Sequence, residues 1–297
     1  MSERLPEPRP VIAPGLPVLT RPDGELQIGL TDRHRLRIED TALARRTLSA
    51  LARGEAVGDA AGRRLLRRLG PVLRDGGALV QPGLPVAETA ALSLRHPRTA
   101  RSRLAARRGT SVTVIGDLGV DPDPLLRASG LGLDPRPERS VTLLLCTGEP
   151  DRTLLDPLLR ERRPHLLLRA VEGEVLLGPF VDPGRTGCLR CVDHHLAEDD
   201  PLHPVLVSRA AVLIRTHDVP EPLDAAVATI ALGWAVRDLV RYAEGDPVST
   251  WSATVRIGPD DVELSPRTWM PHPACGCGWA RSGEVTGGVR PSRTMGA

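Results

Sequence analysis

Four cysteines in the C-terminal part of the chain are the residues best suited to chemistry. Cys188 and Cys191 are separated by two residues, and Cys275 and Cys277 by a single glycine. Two chain segments that each deliver a close pair of thiolates are typical of a tetrahedral four-cysteine zinc site. Such a site leaves no coordination position open, so we expect Zn²⁺ bound by all four side chains to be structural rather than catalytic.

Other interpretations of the cysteines fit less well. A disulfide framework is typical of short, cysteine-rich secreted chains, whereas this chain has 297 residues and five cysteines. A thioredoxin-like redox pair needs a βαβ frame, which the sequence around the first pair does not show. Histidines near the pairs could add or replace a ligand, although four thiolates already complete the set; they are His194, His195 and His272. The fifth cysteine, Cys146, ends an apolar run and is expected to be a small buried strand residue.

The composition is that of a globular protein large enough for two domains. Hydrophobic residues make up 41% of the chain and charged residues 26%, and the formal net charge is +2. No apolar run has the length of a membrane span, and no signal peptide opens the sequence. We therefore expect a cytoplasmic protein, with neither a membrane nor a nucleic acid as its partner.

All 39 basic residues are arginines, because the sequence contains no lysine. A phosphate-binding loop that depends on lysine is therefore excluded. Schiff-base chemistry and base catalysis by lysine are excluded for the same reason.

Residues 1–85 have the outline of a winged-helix module. Residues 1–15 are proline-rich and are predicted to form a loose arm, and a turn at Pro22-Asp23-Gly24 predicts a β-hairpin within residues 16–30. Further predicted elements are the strand His34–Glu39, the helices Ala42–Arg53 and Ala60–Arg74, and the strand Ala78–Val80. Gly70-Pro71 is expected to kink or split the second helix.

Residues 86–281 alternate predicted strands and helices, as a doubly wound α/β domain does, and residues 282–297 are predicted to form a disordered tail. The predicted strands are Ser111–Gly116, Val141–Cys146, His165–Ala170 and Glu174–Phe180. The predicted helices include Arg152–Glu161, His203–Arg215 and Ala225–Glu244, and a hairpin of Trp251–Ile257 with Val262–Leu264 follows them.

The C-terminal half resembles the adenylating superfamily that includes ThiF, MoeB and the ubiquitin-activating enzymes. The residues that carry the resemblance are the strand ending at Gly116, a Gly/Pro-rich approach to the first cysteine pair, a long helix, and then the second pair. The chain is similar, over about residues 16–279, to one branch in particular. That branch comprises the leader-peptide-binding partners of azole-forming peptide cyclodehydratases, which join a PqqD-type peptide-recognition module to a degenerate, Rossmann-like adenylating domain.

The resemblance implies a function in binding. The protein would bind the leader of a ribosomally made precursor peptide and present its core to a separate, ATP-using YcaO-type cyclodehydratase, with no catalytic residue of its own. It also implies that a homodimer is plausible. Two alternatives stay open: an active adenylating enzyme that acts on a carrier protein or peptide, and a zinc-containing winged-helix regulator that binds DNA.

The candidate nucleotide site departs from the family pattern. After Gly116 and Gly119 the third glycine is missing, and Asp117 and Asp121 would repel phosphates. The chain from Gly119 to the next predicted strand is too short for a full crossover, so one strand is expected to be absent. Glu149 and Asp151 could offer oxygens to Mg²⁺, but only beside a nucleotide. We therefore expect no ATP cofactor and no cofactor-binding residues.

The predicted strand His34–Glu39 is a candidate edge to which an extended leader peptide would add. Its contacting residues would be Leu36 and Ile38, or Arg35 and Arg37, depending on which face points inward. The second predicted helix adds a row of arginines, which are Arg63, Arg64, Arg67, Arg68 and Arg74. A solvated face, contact with an acidic leader and contact with phosphate are all open interpretations of this row.

Overall fold

The computed structural model describes residues 10–32, 34–80, 87–134, 139–216, 221–261 and 264–277. They fall into two compact units, within Met1–Ala106 and Arg107–Ala297. The predicted tail 282–297 and the predicted boundary near residue 85 lie outside the described residues. Among those described, no helix combines the length and the apolar character needed to cross a bilayer.

The described residues of the first unit form two small sheets and three helices, and a fourth helix begins in this unit. Strands β1 (Val11–Ile12), β2 (Val18–Thr20), β3 (Glu25–Ile28), β4 (Leu36–Glu39) and β5 (Leu79–Val80) alternate with helices α1 (Ala42–Ala52), α2 (Ala60–Asp75), α3 (Ala87–Arg95) and α4 (Ala100–Arg108). The order β2-β3-β4 is antiparallel, and β1 pairs with β5. Helices α1 and α2 begin at side-chain caps, since Thr41 accepts the N–H of Ala44 and Asp59 that of Gly62.

Two predictions for this unit need correction. Residues 11–13 do not belong to a loose arm, because β1 pairs with β5 and Ala13 is buried. Residues 1–9 of that arm lie outside the description. Helix α2 is continuous from Ala60 to Asp75 with Pro71 inside it, so the proline does not split the helix.

The second unit is built on a mixed six-stranded sheet. Its strands are β6 (Ser111–Gly116), β7 (Ser140–Thr147), β8 (His165–Val171), β9 (Glu174–Val181), β10 (Ala253–Ile257) and β11 (Pro266–Thr268). The order is β11-β10-β9-β8-β7-β6, with β6, β7 and β8 parallel and the remaining pairs antiparallel. The helices are α5 (Asp123–Ala128), α6 (Asp156–Arg160), α7 (Leu189–Asp199), α8 (His203–Thr216) and α9 (Ala225–Glu244).

Alternating side chains of the sheet divide into two buried clusters, one on each face. Leu143, Leu145 and Leu168 belong to the cluster that includes α9. Leu144 and Leu167 belong to the other, which contains the cysteine pairs and Trp269. The sheet therefore separates the α9 layer from the cysteine layer.

Three features of this unit differ from expectation or refine it. Helix α7 (Leu189–Asp199), for which no bounds were predicted, begins directly after Cys188. The partner strand of β10 is β11, later than the predicted Val262–Leu264, of which residues 262 and 263 lie outside the description. Between β6 and β7 the described residues contain only the short α5 and one isolated bridge, Ser111 to Gly132.

Candidate functional site

The four paired cysteines converge in the structure. Cys188 Sγ lies 3.8 Å from Cys191 Sγ and 3.6 Å from Cys275 Sγ, and Cys191 Sγ lies 3.4 Å from Cys277 Sγ. All four sulfurs lie within 4.8 Å of one another. Sulfurs around one zinc ion, at about 2.3 Å from it in a tetrahedron, would be roughly 3.8 Å apart. The spacing is compatible with a zinc site and too wide for a disulfide, whose sulfurs would be about 2 Å apart.

Local sequence explains why the two cysteine segments approach so closely. A Cβ atom on Gly187 would lie 2.8 Å from the carbonyl oxygen of Trp269, so this position requires glycine. Ser252 forms hydrogen bonds with both segments. Its Oγ accepts the N–H of Gly187 at 2.8 Å, and its carbonyl accepts the N–H of Trp269 at 2.6 Å. The first pair and the strand that leads to the second are thereby fixed to the same residue.

The environment of the cluster favours the thiolate form of one sulfur in each pair, while hydrogen bonds with the other three sulfurs raise the pKa of Cys188. Cys188 occupies the N-terminal cap position of α7, where the helix dipole stabilises negative charge. A hydrogen bond from Cys188, followed by those from the other two sulfurs, lowers the pKa of Cys191, and the backbone N–H of His272 contributes in the same direction. The pKa of Cys275 is lowered to about 7, chiefly by its hydrogen bond with Cys188. Each pair thus contains a sulfur whose deprotonated form is favoured.

The nearby histidines do not replace a thiolate. His195 Nε2 donates to the carbonyl of Met270 at 2.8 Å, and His272 Nε2 lies 3.2 Å from a carboxylate oxygen of Glu198. His194 stacks on His272 with ring centroids 4.9 Å apart. These contacts form a separate cluster beside the cysteines.

In the turn after β6, aspartate side chains of the turn accept hydrogen bonds from its own backbone N–H groups. Asp117 Oδ1 accepts the N–H of Gly119 at 2.7 Å, and Asp121 Oδ1 accepts the N–H of Asp123 at 3.0 Å. In a nucleotide-binding turn, backbone N–H groups of this kind bind phosphate oxygens. Gly116 has a φ of 90°, and a Cβ there would lie 1.9 Å from the carbonyl oxygen of Leu145. The glycine therefore serves the close approach of β6 to β7.

A buried ion-pair network joins Arg169 of β8 to residues that follow β7 and to α7. Glu149 contacts Arg152 at 2.6 Å and Arg169 at 2.7 Å, one oxygen to each. Arg152 also makes a bidentate pair with Asp193, at 2.8 Å for both bonds. Burial alone would raise the pKa of Glu149, but the charges of Arg169 and Arg152 outweigh it, and the pKa is lowered. Both oxygens of Glu149 are engaged by arginine, which argues against the Mg²⁺ role considered for this residue.

This network was not predicted from the sequence. Asp193 lies near the exposed acidic residues Glu198, Asp199 and Asp200 in the sequence, yet it is buried. The signal that could have found the network is Arg169, a charge inside the otherwise apolar strand His165–Ala170. A charge buried there requires a carboxylate partner, and Glu149 follows the neighbouring parallel strand.

The predicted peptide-binding strand is β4. Leu36 and Ile38 are half-buried and contact the core of the first unit, so Arg35 and Arg37 are the outward-facing residues. Arg35 pairs with Asp32 at 2.6 Å, and Arg37 lies 3.9 Å from Glu25. The exposed arginines of α2 at positions 64, 67 and 68 have no carboxylate partner within the described part of the chain.

Comparison with known proteins gives matches in structure but not in sequence. No protein-family model and no curated protein matches the chain. The heterocyclase TruD aligns over 97% of this chain and 46% of its own, with a TM-score of 0.67 and 15% identity. A heterocyclase solved in complex with substrate and cofactor aligns over 88% of this chain and 38% of its own, with a TM-score of 0.63 and 14% identity. MccB of E. coli with ATP aligns over 90% of this chain and 99% of its own, with a TM-score of 0.52 and 12% identity.

At these identities the matches establish the fold. The chain has the mixed α/β architecture shared by the heterocyclases and MccB. It spans less than half the length of the two heterocyclases, 46% and 38%. Their activities, substrates and partners therefore bear on this chain only through the proposal that follows.

Proposed function

We propose that this chain binds the leader segment of a ribosomally made precursor peptide and presents its core to a YcaO-type cyclodehydratase. The observation that carries the proposal is an open β-strand edge beside an apolar and arginine-rich helix. The fold shared with heterocyclases supports the same class of pathway.

The open edge belongs to β4. Among the described residues β4 pairs with β3 alone, so the backbone groups on its other side are free to bind an extended peptide. Leu36 lies close to the C-terminal end of α2, since a Cβ on Gly76 would lie 2.9 Å from its Cδ1. An added strand would therefore run alongside α2.

Helix α2 offers two kinds of contact to such a strand. Half-buried leucines at positions 65, 66 and 69 contact the same core as Leu36 and Ile38, and Val72 is 57% exposed. The unpaired arginines at 64, 67 and 68 add positive charge that would attract an acidic leader. Apolar anchors and charge together would fix the register of the peptide.

The second unit is proposed to act as a scaffold rather than as an ATP-using enzyme. The carboxylates of Asp117 and Asp121 occupy backbone donors that a triphosphate would need. The absence of lysine removes a further phosphate ligand. A zinc ion at the cysteine cluster would hold α7 against the segment 269–277 and would supply no open coordination position for catalysis.

The test is fluorescence anisotropy with labelled N-terminal segments of the short open reading frames that neighbour the gene. One segment is expected to bind, and the charge reversals Arg64→Glu and Arg67→Glu together should weaken it by about tenfold and reduce its salt dependence. Ile38→Asp should weaken it further. The matched control is Leu19→Asp on β2, the opposite edge of the same sheet, which should leave affinity unchanged. Equal affinity in all variants would place the leader site elsewhere.

An active adenylating enzyme is the second candidate, because the fold is shared with MccB, which was solved with ATP. ATP–pyrophosphate exchange in the presence of the same peptides separates the two functions. Exchange above background that depends on the peptide would overturn the scaffold proposal. We expect none.

A further inference from the structure

Three side chains next to the cysteine cluster form a second group of metal-ligand type. His195 and Glu198 lie one turn apart on α7, and His272 lies in the segment that leads to the second cysteine pair. Their ligand atoms lie within 4.8 Å of one another. This group is distinct from the cysteines, because none of its side-chain contacts involves a sulfur.

The hydrogen bond of His195 to Met270 uses one ring nitrogen and leaves the other directed at the carboxylate of Glu198. Nε2 donates to the carbonyl of Met270 at 2.8 Å, so in the neutral imidazole Nδ1 carries a lone pair. That Nδ1 lies 3.6 Å from Oε1 of Glu198. A metal ion placed between these two acceptors would be bound by both of them.

The third side chain is held in place from both sides. The ring of His272 stacks on that of His194 at 4.9 Å, with 8° between the planes, and meets His195 edge-on at 4.9 Å. Its Nε2 lies 3.2 Å from the same oxygen of Glu198. Ligand atoms around a zinc ion at about 2.0–2.2 Å would be roughly 3.4 Å apart, close to both measured distances to Glu198.

We propose that His195, Glu198 and His272 bind a second divalent transition-metal ion, of which Zn²⁺ is the representative. Two imidazoles and one carboxylate suit Zn²⁺, Ni²⁺ and Cu²⁺ rather than Mg²⁺ or Ca²⁺. Three protein ligands leave a position for water or for a side chain from a partner, so this ion would exchange more readily than one held by four thiolates. The site goes beyond the proposed leader-binding function and does not depend on it.

Metal binding at this site would break one hydrogen bond of His272. Ala274 N–H donates to Nδ1 of His272 at 3.1 Å. An ion on Nε2 requires the ring proton to be on Nδ1, so that hydrogen bond is lost.

His272 also links the two sites, because its backbone N–H contacts Cys191. An ion at the second site would therefore tie together the same two segments, α7 and 269–277.

Isothermal titration calorimetry of Zn²⁺ into the full chain tests the proposal, with weakly bound metal first removed by dialysis so that only the cysteine-bound zinc remains. One further ion per chain is expected to bind. Glu198→Gln and His272→Ala should each weaken that binding at least about tenfold. Glu198 is exposed, so its substitution does not threaten the fold.

The matched control is His203→Ala, a histidine of α8 outside the group, which should bind the second ion as the parent chain does. Metal analysis before titration should find the same zinc content in every variant. Absence of a second ion in the parent chain, or equal affinity in Glu198→Gln, would overturn the proposal. Neither result would bear on leader binding, which has its own peptide assay.

Discussion

A single sulfur decides whether the cysteine cluster can hold zinc, because the site offers no spare ligand. Cys275→Ser is expected to lower bound zinc from about one equivalent to near zero, and to lower the free energy of unfolding by at least about 3 kcal/mol, since metal binding is coupled to folding. Metal analysis and denaturant unfolding measure the two effects. In excess chelator, which removes zinc from both chains, the parent chain and Cys275→Ser should have nearly the same free energy of unfolding.

Cys146 supplies the matched control for that substitution. It lies on β7 outside the sulfur cluster, and burial raises its pKa to about 11, so it remains a neutral thiol at physiological pH. Cys146→Ser should therefore retain its zinc. Normal zinc content in Cys275→Ser, or its loss in Cys146→Ser, would show that the metal is held elsewhere.

Glu149 is the residue whose charge the ion-pair network depends on. Glu149→Gln leaves Arg169 buried without a carboxylate and is expected to cost on the order of 3 kcal/mol at pH 7. Because the pKa of Glu149 is lowered in the folded chain, its charge stabilises the fold above its unfolded pKa of about 4.3, and this contribution is lost as pH falls through the folded pKa.

The stability difference between the parent chain and Glu149→Gln should therefore be constant near neutral pH and shrink below about pH 4. Urea unfolding at a series of pH values measures it. Asp123→Asn is a suitable control, because its pair with Arg127 is long, at 4.0 Å, and exposed. A difference that did not change with pH would mean that the charge of Glu149 is not what stabilises the network.

At the scale of elements, the sequence was sufficient wherever a regular pattern had a single structural solution. The strands β6, β7 and β8 and the helix α9 were predicted close to their observed bounds, because apolar runs between glycines and a long helical period admit few alternatives. The convergence of the four sulfurs was also predictable, because close pairs of cysteines constrain where their segments meet.

Other elements depended on contacts that the sequence does not display. Helix α7 was not given bounds from the sequence, because the cysteine pair that begins it was interpreted for its metal chemistry rather than for its secondary structure. Strand β1 was missed because its two residues gain stability only from pairing with β5, which is distant in the sequence. The direction of Leu36 and Arg37 could not be decided either, since a shift of one residue exchanges the faces of a strand.

At the scale of the whole molecule, the chain combines a unit with an open strand edge and a unit with a carboxylate-filled turn. The heterocyclases of similar fold contain more than half of their length beyond the matching part. If this chain supplies only recognition, catalysis must come from a partner. Its contribution to rate would then be an increase in the effective concentration of the precursor near that partner.

Reconstitution with a YcaO-type cyclodehydratase tests this division of labour. Adding the chain should raise kcat/KM for a full precursor on the order of 100-fold, because a leader bound with micromolar affinity brings the core to a millimolar effective concentration. A precursor without its leader should gain nothing, and Ile38→Asp should remove the gain for the full precursor. Loss of water from the core peptide, followed by mass spectrometry, reports the rate. Equal acceleration of the leaderless core would mean that the chain activates the enzyme directly, and recognition of the leader would no longer explain its role.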